Sequence, residues 1–248
     1  MTPVTLKLEV PGGADARVLL HSCCAPCSGA IIETMVAQGI RPTLFWSNSN
    51  IYDKAEYDKR RAEILRYADK FGLEVVDDDF DHADWLAEVA AGREDAPERG
   101  ARCLECFRYR LLRAARYAAT HGFSVLTTTL ASSRWKSLEQ VDAAGAWACE
   151  AVGGRLTLPS EFSGRWEHSE ANSVAALGSV ATSRRPGYIR GGAPNNATEG
   201  SPDRQAVAWW GQNWRICGLQ PRRSEIIREQ NFYNQSFCGC EFSLRQTK

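Results

Sequence analysis

The chain has 248 residues, 44% of them hydrophobic and 24% charged, enough for one large domain or two small ones around an ordinary buried core. Thirty basic residues balance thirty acidic ones, which excludes a histone-like or tail-like mode of binding and leaves only local basic patches. The first twenty residues carry one lysine and no long apolar stretch, and no apolar run approaches the ~18 residues a membrane helix needs, so a cytoplasmic protein without membrane contact is expected.

In chain order, Arg17–His21 reads as a buried strand that runs into the thiol-rich turn His21-Ser22-Cys23-Cys24-Ala25-Pro26-Cys27-Ser28. A helix over Ser28–Gln38, stopped by Gly39, follows it. Such a turn aims backbone N–H groups and thiolates at one point, where an anionic cofactor or phosphate fits. Thr43–Ser47 is the second strand and Asn48–Asp53 a polar loop. The next helix, Ala55–Phe71, places Tyr57, Ile64, Leu65, Ala68 and Phe71 on one stripe and stops at Gly72; Leu73–Val76 is the third strand. Strands and helices alternating through short connections predict a parallel α/β sheet covered by helices.

An acidic stretch, Asp77–Asp84, leads into a helix over Asp84–Ala91 that Asp84 is placed to cap. Beyond the cysteine-bearing run Glu98–Arg108 come a helix over Tyr109–Thr120, a strand over Ser124–Thr128 and a helix over Leu138–Ala151 that ends at Gly153-Gly154. Residues 166–205 are Ser, Gly, Ala, Pro, Asn and Arg without periodicity, the composition of an inserted mobile surface loop, either passive or a lid. The chain closes with Trp209–Arg215, a basic helix over Pro221–Glu229 and the Phe237-Cys238-Gly239-Cys240-Glu241 segment.

Nine cysteines in a reducing compartment point to metal ligands, catalytic groups or core residues rather than disulfides. Seven fall into three clusters: Cys23/Cys24/Cys27, Cys103/Cys106 and Cys238/Cys240. Positions i and i+3 share a helix face, so Cys103 and Cys106 can serve one centre, and Gly239 permits the tight backbone that lets Cys238 and Cys240 converge. Cys149 and Cys217 read as small core residues. A structural zinc site takes four ligands, so seven thiols favour an iron–sulfur cluster, with or without a second metal; spacing alone does not decide. Two alternatives stand beside it. One is a thioredoxin-like thiol–disulfide oxidoreductase built on Cys24-Ala25-Pro26-Cys27, which leaves five thiols unexplained; the other is a non-redox zinc module that binds tRNA.

Asp79 and Asp81 offer carboxylate oxygens to a metal, while His21, after a buried strand, reads as a satisfied core histidine. Arg99, Arg102, Arg108, Arg110, Arg113 and Arg116 crowd the second thiol cluster, and Arg215, Arg222, Arg223 and Arg228 precede the third. Arginines flanking a cofactor site suit a phosphate-rich substrate such as RNA; the plainer reading is solvated helix faces paired with Glu105, Glu225 and Glu229. Tyr233, Phe237, Trp46, Trp209, Trp210 and Trp214 can either stack on an extruded base or line the core.

Taken together, these segments resemble the QueH-type epoxyqueuosine reductases. The matching pieces are Leu20–Ser28, Asn48-Ser49-Asn50-Ile51 with Glu56-Tyr57 and Arg60, and Asp79-Phe80-Asp81 with Trp85. Further along they are Glu98–Phe107 with Arg110-Leu111, Thr127–Leu130 with Ser133 and Lys136, and Tyr233–Ser243. The resemblance implies reduction of epoxyqueuosine to queuosine at the wobble position of tRNA, the last step of queuosine formation, without a corrinoid. It also implies one domain over 1–248 with a Rossmann-like sheet, helices on both faces, similar to the adenine-nucleotide alpha-hydrolase superfamily, with helical cysteine-bearing additions. A [4Fe-4S] cluster and an additional iron or other divalent metal are implied, with Cys23, Cys24, Cys27, Cys103, Cys106, Cys238 and Cys240 as ligands and Asp79 as a candidate carboxylate. Cys23, Cys24 and Asp81 are the expected catalytic positions. Arg102, Arg108, Arg110, Lys136, Arg215 and Tyr233 are the expected contacts to the tRNA anticodon stem-loop, and an external electron donor is required. The sequence departs from the family pattern at Ser49 and Asp53, where prolines are usual, and at Ile216, where a lysine is usual. These changes bear on loop rigidity and substrate affinity more than on chemistry.

Overall fold

A computed structural model describes residues 6–78, 80–153, 155–157, 206–216 and 218–246; Asp79, Cys217 and the stretch 166–205 lie outside the described residues. Six strands form one sheet: β1 (Val18–His21), β2 (Thr43–Trp46), β3 (Val75–Asp77), β4 (Val125–Thr128), β5 (Arg155–Thr157) and β6 (Ala208–Trp210), in the order β3-β2-β1-β4-β6-β5. Every pairing is parallel. The residues of β1 and β4 are buried throughout, which is why these strands read as continuous apolar runs rather than as alternation. Helices α1 (Ala25–Ala37), α2 (Lys54–Asp69) and α6 (Gln220–Glu229) pack together, while α4 (Ala101–Thr120) and α5 (Leu138–Ala151) pack on each other. The right-handed rule for crossovers between parallel strands puts these two groups on opposite faces, in keeping with the expected Rossmann-like α/β architecture.

The chain winds outward from β1 through β2 to β3 and then returns to place β4 on the other side of β1. Between the carboxyl ends of β1 and β4 this reversal opens the crevice in which doubly wound sheets bind their ligands. Both ends carry functional sequence: the thiol turn follows β1, and a single 3-10 turn, Thr129–Ser132, follows β4.

Some boundaries differ from the sequence expectation. Helix α1 starts at Ala25 rather than Ser28, because Pro26 has the fixed backbone angle suited to a first helical turn, so Cys27 lies within that turn. Helix α4 starts at Ala101 rather than Tyr109 and includes Cys103 and Cys106. The expected helix over Asp84–Ala91 is a short α3 (His82–Trp85) followed by one wider turn, Leu86–Ala90. Its cap is Asp81, whose carboxylate accepts from the Asp84 N–H at 2.9 Å, and Asp84 lies inside the first turn. Strands β5 and β6 and helix α7 (Glu241–Gln246) had no counterpart in the sequence reading. Gly145 explains how α5 reaches the sheet, since a Cβ there would lie 2.3 Å from the Trp209 ring. Among the described residues no helix is long and apolar enough to cross a membrane.

Candidate metal centre and substrate cleft

The floor of the site is the turn after β1. Ser22 N–H donates to the Phe45 carbonyl at 2.9 Å and Cys23 N–H to Thr129 Oγ1 at 3.1 Å, tying the turn to β2 and to the end of β4. The Thr129 hydroxyl lies 3.4 Å from Cys23 Sγ, and Ser28 Oγ donates to the Cys24 carbonyl at 2.8 Å. Cys23, Cys24 and Cys27 are all buried, and their sulfurs lie within 4.8 Å of one another. Cys23 Sγ and Cys24 Sγ are 3.9 Å apart, close to the ~3.8 Å separation that two thiolates ~2.3 Å from one tetrahedral metal adopt. Beneath them His21 is a satisfied core residue, its Nδ1 2.8 Å from Thr128 Oγ1 and its Nε2 3.2 Å from the Ser47 carbonyl. Burial, reinforced by Arg110, pushes its pKa down to about 3, so the ring is neutral and Nε2 donates to that carbonyl.

Charge on the floor is unevenly shared. Thiol hydrogen bonds from Cys23 and Cys24, with Lys136 and Arg223 behind them, hold Cys27 well below the usual thiol range despite its burial. The same contacts, through Cys23 and then Cys27, push Cys24 up. Lys136 is itself buried in the cleft. Burial alone would lower its pKa, but Cys238, Cys23 and Cys27 outweigh that and raise it, so its ammonium stays charged among the sulfurs.

The wall comes from remote segments. Cys103 and Cys106 sit in the opening turns of α4, and Cys238 and Cys240 just precede α7. Burial, with Cys238 adding to it, pushes Cys103 up to about 11. Cys106 is pushed up to about 12 by burial, which Arg110 opposes and the other wall thiols reinforce. Cys240 is raised by burial and then by Cys238. Cys106 and Cys240 pack with Trp85, Val89 and Phe242 in a small apolar cluster of their own. Cys238 lines the same cleft as Cys23, Cys24 and Cys27 and joins the wall to the floor, whereas Cys103, Cys106 and Cys240 are not among the lining residues. Cys103, Cys106 and Cys240, which burial keeps protonated, are a donor set suited to a cation, which would displace the protons as it bound.

Two buried arginines assemble these parts. Arg60 of α2 pairs with Glu56 at 2.6 Å and donates to the carbonyls of Cys238 (3.3 Å) and Phe237 (3.5 Å), while Tyr52 N–H donates to the Gly239 carbonyl at 2.8 Å. Gly239 has φ of 134°, and a Cβ there would meet Asn50 Nδ2 at 3.1 Å. Arg110 donates to the Ser47 carbonyl at 3.0 Å and to Asn48 Oδ1, and Asn48 Nδ2 donates to the Ser22 carbonyl at 2.9 Å. It therefore links α4, the polar loop and the thiol turn. The signal for Arg60 was in the sequence: it falls on the apolar stripe of α2, between Tyr57 and Ile64, with a glutamate four residues before it.

The expected RNA contacts divide. Lys136 and Arg110 line the cleft. Arg102 is buried, donates to the Arg93 and Glu94 carbonyls at 2.8 and 2.9 Å and lies 4.4 Å over the Phe242 ring. Arg108 pairs with Glu105 at 2.8 Å, and Arg215 donates to the carbonyls of Ala131, Ser133 and Lys136. Tyr233 is half-buried, with Lys59 Nζ 3.4 Å over its ring. Asp81 is half-buried and engaged as a helix cap; Asp79 lies outside the described residues. Trp46, Trp209, Trp210 and Trp214 are buried and belong to the core, which settles their alternative of stacking on a base, while Phe237 lines the cleft. Two buried polar atoms of the cleft lining, Asn50 Oδ1 and Gln235 Nε2, have no partner among the described residues. Left unsatisfied, such a group costs ~1–3 kcal/mol, so each marks a place where a bound polar ligand fits.

Comparison with known proteins shows the family. The family model for epoxyqueuosine reductase QueH matches residues 18–176 and 194–246, breaking only inside the stretch read as an insertion. The chain is 36% identical over 241 residues to epoxyqueuosine reductase QueH of Histophilus somni (strain 129Pt), covering 97% of this chain and 77% of the relative. The Haemophilus influenzae protein of the same name gives 36% identity over 97% of this chain and 76% of its own length. The Acinetobacter baylyi protein gives 34% over 100% and 88%. The chain thus belongs to the QueH family of epoxyqueuosine reductases, an oxidoreductase family.

Proposed function

We propose that this protein reduces epoxyqueuosine at the wobble position of a tRNA anticodon to queuosine, the last step of queuosine formation, in the cytoplasm. The observation that carries this reading is the convergence of four of the family's thiols, Cys23, Cys24, Cys27 and Cys238, on one cleft at the β1/β4 crevice, with unpartnered polar groups in its lining. Removing the epoxide oxygen takes two electrons and two protons; both carbon–oxygen bonds break, a carbon–carbon double bond forms and the oxygen leaves as water. Cys23, Cys24, Cys27, Cys103, Cys106, Cys238 and Cys240 would hold a [4Fe-4S] cluster and an additional iron, with Asp79 as the candidate carboxylate ligand. When bound, these groups supply single electrons from an external donor and a Lewis acid for the epoxide oxygen.

The protein's own groups prepare the site. Lys136 Nζ stays protonated and balances thiolate charge on the floor. Asn50 Oδ1 accepts from, and Gln235 Nε2 donates to, polar groups of the entering nucleoside. Arg60 and Arg110 fix the wall and the polar loop against the floor, so that the nucleoside, splayed from the anticodon loop, enters a preformed cleft. The test is anaerobic incubation of the iron-loaded protein with epoxyqueuosine-containing tRNA and dithionite, followed by nucleoside analysis. Conversion to queuosine is the expected result. A colourless protein with one zinc and no conversion would favour the zinc module, and a metal-free protein that reduces insulin disulfides would favour the thioredoxin-like reading.

A further inference from the structure

The described residues include three large apolar side chains that are substantially exposed: Tyr52 at 45%, Trp135 at 45% and Ile216 at 67%. Of these only Trp135 lines the thiol cleft. It sits in the short connection between the 3-10 turn after β4 and α5, next to the buried Lys136. The Arg134 guanidinium stacks 4.9 Å over its ring, and Arg134 is exposed.

This connection is braced to an unusual degree for an exposed loop. Arg215 donates to the carbonyls of Ala131 (3.1 Å), Ser133 and Lys136 (2.7 Å). Arg99 donates to those of Arg134 (2.7 Å) and Trp135 (3.4 Å). Within the loop, Trp135 N–H donates to Ser133 Oγ at 3.3 Å and Lys136 N–H to the Ser133 carbonyl at 3.2 Å. Five carbonyls of one short segment are thus held by two arginine side chains. Behind the loop, Arg99, Lys136 and Arg215 also line a second groove with one acidic residue, Glu139, so the segment stands between the thiol cleft and a groove with more basic than acidic groups. An exposed indole costs hydration free energy, and the hydrogen bonds here fix the backbone that carries it rather than burying its ring. Carried on a braced backbone at the mouth of a cleft, capped by a cation and flanked by cations, it has the make-up of a stacking platform for single-stranded nucleic acid.

We infer that Trp135, with Arg134 over it, stacks on the anticodon-loop base next to the wobble nucleoside while that nucleoside occupies the thiol cleft. This rests on the proposed tRNA substrate and specifies how the loop is held. The cation–aromatic pair gives affinity without reading sequence, because every base presents a π-face.

The experiment titrates a fluorescein-labelled anticodon stem-loop RNA with the anaerobically purified holoprotein and with Trp135→Ala, Trp135→Phe and Arg134→Ala, and repeats the titration with 2-aminopurine at the base adjacent to the wobble position. Trp135→Ala is expected to weaken binding roughly ten-fold or more and to abolish 2-aminopurine quenching, with iron content unchanged. Trp135→Phe is expected to keep most of the affinity, and Arg134→Ala to lower the salt slope by about one. Equal affinity and equal quenching in wild type and Trp135→Ala would overturn the platform and leave the substrate reading standing. Failure of the wild-type protein to bind the stem-loop would overturn the substrate reading and the platform with it. If Trp135→Ala binds RNA normally, turns over with dithionite and fails only with a protein reductant, the surface receives an electron donor instead, and the inference is wrong.

Discussion

The floor and the wall of the cleft hold similar thiols by different means. Cys23, Cys24 and Cys27 are fixed by the sheet itself, through hydrogen bonds to β2 and to the end of β4, and their placement follows from the winding of the strands. The wall thiols owe their positions to side chains: Arg60 holds the backbone before Cys238 and Cys240, and Arg102 stacks on Phe242 beside Cys106. The electrostatics differ in the same sense. The floor lowers one thiol pKa through neighbouring thiols and cations, whereas burial raises every wall thiol for which a shift is resolved. A floor made by topology resists single substitutions away from the cysteines, and a wall made by side chains does not.

That contrast orders the expected effects. Removing a ligand acts on both regions, so Cys103→Ala should abolish turnover, a drop of at least ~10³-fold, and lower iron content; full activity in that variant would remove Cys103 from the site. Arg60→Met should act on the wall alone. It leaves Glu56 and two part-buried carbonyls without their Arg60 partner, an expected cost of ~3 kcal/mol by urea unfolding. The same variant should lose iron while Cys23, Cys24 and Cys27 react with thiol reagents at the wild-type rate. Equal loosening of the floor thiols would show that floor and wall are held by the same contacts. Gly239→Ala should have the same direction at ~1–3 kcal/mol, since its left-handed backbone and its contact with Asn50 disfavour any side chain.

The smallest expected effect lies on the sheet side. Asp142 of α5 is buried, and that burial, only partly offset by Trp209 and Arg215, pushes its pKa up to about 7. An acid with a raised folded pKa binds more protons folded than unfolded between about pH 4 and 7. Its unfavourable contribution therefore grows as pH rises through that window and levels off above it. Asp142→Asn should raise stability at pH 8 by about 2 kcal/mol, with the gain fading toward pH 4, and leave iron content unchanged. A flat difference across that range would show that Asp142 titrates normally.

Much of the floor was legible in the sequence because it is local: an apolar run, a thiol turn, a helix with proline in its first turn. The strands β1, β2 and β4 fall where periodicity and turn residues place them. The wall was legible only as clustered cysteines. The residues that build it are arginines whose partners are distant backbone carbonyls, and a chain read in order cannot distinguish a buried brace from a solvated charge; Arg102 and Arg110 were read as RNA contacts for that reason. Trp135 escaped notice because exposure follows from tertiary packing, while four other tryptophans, read as possible stackers, turned inward. Strand β6 is three residues long and gave no periodic signal.

The central claim is that floor and wall are two halves of one iron-loaded centre, and iron bound per chain after anaerobic purification of wild type, Cys24→Ala and Cys103→Ala tests it most directly. The account predicts more iron in the wild type than one four-iron cluster contains, and a marked loss in both variants although their cysteines lie on different segments. Full iron in either variant would contradict it.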